Sequence, residues 1–120
     1  MMSVARISPY AASEFFKLFE GAVASLHSSS PAADDPLLSE LTGGGYSRIP
    51  VLFEAIGVRT IANPNSLVFT NLPPVVITHI GIWDASGLNL ILSSDVRNAG
   101  RNAANTRLVI ESYDLAINFP

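Results

Sequence analysis

Three consecutive glycines, Gly43 to Gly45, stand directly before a long run of residues rich in large apolar side chains. Glycine adopts positive φ at little cost, so the triplet predicts a sharp, exposed turn that leads the chain into a sheet. The segment does not match a phosphate-binding loop, because that loop requires Lys followed by Ser or Thr, and here Tyr46 follows. The sequence therefore indicates an architecture more clearly than a chemistry.

The chain has more apolar residues than a small monomer can bury. It contains 120 residues, the size of a single domain, of which 48% are hydrophobic and 14% charged. An ordinary soluble domain has roughly 25% charged residues. The excess apolar surface favours oligomerisation or docking to another protein. The alternative is an ordinary β domain whose surface is rich in Ser and Asn.

Charge and composition argue against several classes of partner. The net charge is −3, and Lys17 is the one lysine among seven basic residues. No basic cluster is available for nucleic acid. The lack of cysteine excludes disulfides and thiolate metal sites. No apolar run approaches the ~20 residues of a membrane helix, and the N-terminus has no signal-peptide pattern, so we expect synthesis in a cytoplasm without membrane insertion.

One helix is predicted at the N-terminus. Ser8-Pro9 provides a capping serine and a first-turn proline, Tyr10 to Glu20 contains good helix formers, and Gly21 suits the helix end. We therefore expect one domain over residues 1–120, with an arm and helix over 1–21 and a β-sandwich over 22–120.

The rest of the chain consists of short apolar runs separated by turns. Residues 28–40 are expected to form an exposed loop, residues 84–87 a tight hairpin turn, and Glu111 or Ser112 a break between the last two strands. The fold class that follows is mainly β: an antiparallel β-sandwich of about seven to eight strands with one N-terminal α-helix. The expected strand regions are Ala22 to Leu26, Tyr46 to Ala55, Val58 to Ile61, Ser66 to Thr70, Val75 to Trp83, Leu88 to Leu92, and Arg107 to Phe119.

Few residues suggest catalysis or metal binding. His79 could be a ligand or a base, but no partner is spaced near it, which favours a packed histidine. His27 precedes serines without the context of a nucleophile elbow. Asp34-Asp35 has no calcium-loop spacing, and Asp84 suits a turn that bonds its own backbone. We therefore predict no catalytic residue, no cofactor and no metal.

Five residues are candidates for an interface. Phe15, Phe16 and Phe19 place three phenylalanines in five residues, either as a lid over an open end of the sandwich or as an anchor in a neighbouring subunit. Tyr46 and Arg48 follow the triple glycine and either meet a partner or flank their strand.

Several segments, in order, resemble a family of short virion proteins of tailed bacteriophages, described as tail-fibre-like or minor tail proteins and related to small head decoration proteins. Ala24-Ser25-Leu26-His27-Ser28 is similar to the family's first strand. The hallmark of the family is similar to Thr42-Gly43-Gly44-Gly45-Tyr46-Ser47-Arg48, followed by Pro50-Val51. Val76 to Ala85 and Asn89 to Leu92 are similar to its central hairpin. The resemblance covers roughly residues 22 to 119, and departs from the family in the 31–40 loop and after Ser93.

The resemblance implies a structural, non-enzymatic virion protein with a β-sandwich core. High apolar content and low charge favour a capsid decoration or cement protein, set as a homotrimer on the major capsid protein. The alternative is a tail-fibre tip or minor tail protein, with tail proteins or a host receptor as its partner. A sugar-binding or hydrolytic β domain is a third hypothesis, which a single tryptophan and few candidate acids disfavour.

Overall fold

The computed structural model describes residues 8–31, 35, 37–96 and 106–118. Helix α1 spans Pro9–Phe16 and continues as a 3₁₀ turn over Lys17–Phe19. The predicted cap is confirmed, since the Ser8 hydroxyl accepts a hydrogen bond of 3.1 Å from the Ala11 amide. Gly21, at φ +71°, then turns the chain into the first strand.

Nine strands follow in the part of the chain that the structure describes, and all their pairings are antiparallel. They form a four-stranded sheet in the order β2-β1-β6-β7, a three-stranded sheet in the order β3-β4-β9, and the pair β5-β8. Their bounds are β1 Val23–His27, β2 Ile49–Pro50, β3 Glu54–Gly57, β4 Thr60–Ala62, β5 Leu67–Leu72, β6 His79–Trp83, β7 Leu90–Asp95, β8 Thr106–Ile110 and β9 Ala116–Asn118.

The four-stranded sheet has two different faces because side chains alternate along its central strands β1 and β6. On one face, Ala24, Leu26, Ile80 and Ile82 are fully or almost fully buried in the hydrophobic core. The opposite face has the polar or aromatic side chains of Ser25, His27, His79 and Trp83.

The core joins the three sheets and the end of the helix. Phe19 packs edge-on against Phe53, with ring centroids 5.4 Å apart. Phe69, Ile77 and Leu115 are buried in the same cluster. Within the described residues, no helix is long and apolar enough to span a bilayer.

The predicted fold class is confirmed: the protein is mainly β, antiparallel, with one short N-terminal helix. The break near Glu111 is also confirmed, because β8 ends at Ile110 and β9 begins at Ala116. The division of the chain at residue 21 into an arm and a sandwich remains a prediction.

The predicted strands differ most from the observed ones at three places. The expected strand from Tyr46 to Ala55 is instead β2 and β3, in different sheets, because Pro50 has no amide hydrogen to continue a ladder. The expected strand from Val75 begins only at His79, beyond Pro73 and Pro74. Tyr113, which the predicted strand from Arg107 to Phe119 includes, instead lies exposed at φ +65° in the turn between β8 and β9.

Candidate functional site

The triple glycine forms a turn that fits against the backbone of Asn71. Gly43 and Gly44 have φ of +89° and +59°, and the Gly45 amide donates to the Asn71 carbonyl at 2.8 Å. A Cβ atom on Gly44 would lie 2.8 Å from the Asn71 carbonyl oxygen, and one on Gly45 would lie 2.6 Å from the Asn71 Cβ. Glycine is therefore required at positions 44 and 45 by space, and at position 44 also by backbone conformation.

The turn leads directly to Tyr46 and Arg48, whose side chains meet at Glu40. Arg48 donates two hydrogen bonds to the Glu40 carboxylate, Nε to Oε2 at 2.9 Å and Nη2 to Oε1 at 2.7 Å. The Tyr46 hydroxyl donates to the same carboxylate at 2.7 Å. The Arg48 guanidinium also lies 4.0 Å from the ring centroid of Trp83. We call Glu40, Tyr46, Arg48 and Trp83 the polar cluster.

The polar cluster connects three parts of the chain. The Tyr46 hydroxyl accepts a hydrogen bond from the Leu26 amide of β1, and Arg48 Nη1 donates to the Gly87 carbonyl in the β6–β7 hairpin. Burial raises the pKa of Glu40, but the hydrogen bonds from Arg48 and Tyr46 outweigh it and hold that pKa below its ordinary value. Burial and the bond to Glu40 raise the pKa of Tyr46 well above its usual range. Glu40 is thus ionised and Tyr46 is neutral at pH 7.

A second group of polar side chains lies beside the cluster, inside the fold. His27 and Ser25 are fully buried, and His27 Nε2 lies 2.6 Å from the Ser25 hydroxyl oxygen. The Trp83 indole N–H donates to that hydroxyl at 2.7 Å, and His27 Nδ1 lies 3.0 Å from the Ser39 hydroxyl. Gly81 provides the room, since a Cβ there would lie 2.7 Å from the Ser25 oxygen. Because both side chains are fully buried, a substrate in solvent does not reach this Ser–His contact.

The remaining candidate residues serve local structure. His79 is half-buried, with Nδ1 2.7 Å from the Thr78 hydroxyl and Nε2 3.0 Å from the Asp95 carboxylate. Asp84 accepts from the Ser86 amide and the Asn89 side chain, which confirms its predicted role in the turn. Asp34 lies outside the described residues. Among those described, no group of three or more His, Cys, Asp or Glu could hold a metal ion.

An apolar groove of about 460 Å³ runs between the helix and the segment that includes β3. We call it the helix groove. Lys17 and Glu20 are its charged lining residues, and Leu52 and Val58 are 66% and 63% exposed. Its apolar lining also includes Phe16, Phe19, Val51, Phe53 and Ile61. On the other side of Leu52, a second depression of about 390 Å³ extends the apolar surface towards Leu67.

The five predicted interface residues lie in two places. Phe19 is buried and Phe15 and Phe16 are half-buried, with the rings of Phe15 and Phe19 5.5 Å apart. Phe16 and Phe19 line the helix groove, and Phe15 packs against both of their rings beside it. Tyr46 and Arg48 are half-buried and satisfied within the polar cluster. Contact of any of the five with another protein remains a prediction.

A family model described as Podophage GP4 fiber I protein gp80 matches residues 18–118. The chain belongs to this family of phage fibre proteins. The match begins after α1 and covers every strand of the described structure. No curated protein and no solved structure matches the chain.

Membership confirms the predicted resemblance at the level of a phage fibre-type protein. It does not confirm the head decoration interpretation, and the predicted tail-fibre alternative agrees better with the family description. The structure adds three residues that the sequence reasoning missed, namely Ser25, Ser39 and Glu40. Ser25 could have been found, because it stands two residues before His27 in a strand and hence on the same face. Glu40 could not, because it belongs to a loop.

Proposed function

We propose that the chain is a structural, non-enzymatic subunit of a phage tail fibre, located towards the fibre tip, where it contributes to contact with the host receptor. The observation that carries this proposal is the family match over residues 18–118. The buried position of the Ser25–His27 pair supports a structural role, because its polar atoms are used within the fold.

We further propose that the subunit forms a homo-oligomer through the helix groove. Exposed Leu52 and Val58 border an apolar concave surface, and contiguous apolar surface of this kind is typical of interaction sites. The groove also has one cation, Lys17, and one anion, Glu20. Opposite charges on one surface allow contact with a second copy of the chain without uniform like-charge repulsion.

Quantitative mass spectrometry of purified virions, with the major capsid protein as the reference, tests the location. A fibre subunit is expected in a small number of copies per particle and in the tail fraction after heads and tails are separated. A copy number close to that of the major capsid protein, in the head fraction, would instead establish a decoration protein. Absence from purified particles would contradict any virion role.

Receptor contact requires a separate measurement. Purified protein at increasing concentration is expected to slow adsorption of the phage to its host, because free tips occupy the receptor. Heat-denatured protein at the same concentration is the control. Unchanged adsorption, together with a confirmed tail location, would leave the structural role and remove the receptor role.

A further inference from the structure

The hydrogen bonds around His27 determine which of its two ring nitrogens carries the proton in the neutral form. The Trp83 indole can only donate, so the Ser25 oxygen accepts its bond. The Ser25 hydroxyl proton then has two acceptors: His27 Nε2 at 2.6 Å, or the Gly81 carbonyl at 3.4 Å. The shorter contact assigns the proton to the bond with Nε2. A neutral imidazole has one N–H, so Nδ1 bears it and donates to the Ser39 hydroxyl.

A second proton on His27 changes the bonds at Nε2 and leaves the Nδ1 bond to Ser39 in place. An imidazolium has N–H groups at both nitrogens, so Nε2 becomes a donor and the Ser25 oxygen uses both of its lone pairs, one for Nε2 and one for the Trp83 indole. The Ser25 proton would then depend on the 3.4 Å contact with Gly81. The added charge would also be fully buried, where it loses the hydration that stabilises it in water.

The ionisable groups around His27 come from every neighbouring element. Glu40, which pairs with His27 through a backbone β-bridge, favours the protonated form of His27. Its carboxylate, however, already accepts hydrogen bonds from Arg48. Arg48 itself and His79, the direct partner of His27 on β6, oppose a further positive charge. Tyr46 is neutral, and Asp95 pairs with His79 rather than with His27. Burial is the main cause that lowers the pKa of His27.

His27 is also the attachment point of the segment Ser39–Leu41. Beyond the bond between His27 and the Ser39 hydroxyl, the Leu41 amide donates to the Leu26 carbonyl at 3.0 Å, and the Ser28 amide donates to the Ser39 carbonyl at 2.9 Å. We propose that His27 is an acid-sensitive latch: with the segment attached to β1 the ring is buried and neutral, and because a charged ring needs the hydration that only detachment of the segment gives it, uptake of a proton favours the detached form.

The sign of the pH effect follows from the lowered pKa. In the open form, with the segment Ser39–Leu41 detached from β1, His27 takes up a proton near its ordinary pKa of 6.5. In the closed form, with the segment attached, the lowered pKa of His27 opposes protonation. The closed form is therefore fully stable above pH 6.5 and loses stability as the pH falls below it. Over that interval the opening equilibrium constant is expected to rise by up to tenfold per pH unit.

Amide hydrogen exchange, corrected for the intrinsic effect of pH, tests the latch in the intact chain between pH 7.5 and 5.5. This interval lies above the ordinary value of 4.5 for Glu40, so Glu40 stays ionised. The Leu41 and Ser28 amides are expected to lose protection, while the amides of β4, in another sheet, keep theirs. Equal protection at both pH values would overturn the proposal, as would an equal loss in β4.

Two variants separate His27 from the other histidine. H27Q replaces the ring by a side chain that cannot be charged, so the pH-dependent loss of protection is expected to disappear. H79Q removes the other histidine of the chain and is expected to keep the loss. The opposite pattern would refute the latch.

A direct measurement covers the case in which H27Q does not fold. In ¹⁵N-labelled wild-type protein, the imidazole nitrogen shifts are expected to show the neutral form with the proton on Nδ1 at pH 7.5, and a titration midpoint below 6.5. A midpoint at or above 6.5, or a proton on Nε2, would refute the proposal without any variant.

Discussion

The polar cluster and the helix groove have no residue in common, and they differ in how far their side chains find partners within the chain. In the cluster, Glu40 accepts three hydrogen bonds and Arg48 is covered by Trp83. No buried side-chain polar atom in the described residues lacks a partner. At the groove, by contrast, Leu52 is 66% exposed although it is apolar. The comparison indicates that the cluster maintains the fold of one chain, whereas the groove is free to contact a second.

Loss of Arg48 is the strongest test of the cluster. R48M leaves the Glu40 carboxylate, whose side chain is 12% exposed, without its ion-pair partner. We expect the free energy of unfolding to fall by about 2–3 kcal/mol, somewhat less than for a fully buried pair, because the guanidinium is partly exposed. Urea denaturation at one fixed protein concentration measures the change.

The matched control is K17M, which removes the salt bridge between Lys17 and Glu14. Its N–O distance of 2.8 Å is close to the 2.7 Å of the Arg48–Glu40 pair, but its side chains are 59% and 45% exposed. Its loss should therefore lower the free energy of unfolding much less than the loss of Arg48 does. Similar costs for the two variants would remove the distinction between the cluster and the exposed surface.

A smaller effect is expected in the glycine turn that delivers Tyr46 and Arg48 to the cluster. G44A adds a Cβ 2.8 Å from the Asn71 carbonyl oxygen and strains a left-handed backbone, so we expect a loss of about 2 kcal/mol. Gly43 also has positive φ, but nothing lies within 4 Å of its added Cβ. G43A should therefore lower the free energy of unfolding only by the strain of a positive φ, about 1 kcal/mol. Thermal unfolding followed by circular dichroism compares them, and an equal loss would show that space at Asn71 is unimportant.

The turn also shows how much of the site was predictable. The three glycines predict a tight, exposed turn from local conformational preference alone, and the structure has one. Their contact with Asn71 could not be predicted, because it joins residues that are distant in sequence. Likewise, the apolar run from Tyr46 to Ala55 predicted strand structure, but not the transfer of the chain from β2 to a separate sheet after Pro50. Local pattern predicted the class of the elements, and tertiary pairing decided their limits.

The smallest effect on stability, and the largest on association, is expected at Leu52. L52D replaces an exposed apolar side chain, so the free energy of unfolding of the isolated chain should change by less than about 0.5 kcal/mol. Self-association through the helix groove should weaken, because a carboxylate would be desolvated in the contact. Light scattering with size exclusion measures the number of copies, for which the sequence predicts three.

The control is L88D, an equal substitution at a residue that is 81% exposed and does not line the groove. If L88D dissociates the oligomer as well as L52D does, the groove is not the contact. If L52D instead unfolds the chain, Leu52 is needed for the stability of the single chain. The contrast between a polar cluster satisfied within one chain and a groove available to a second chain is then wrong.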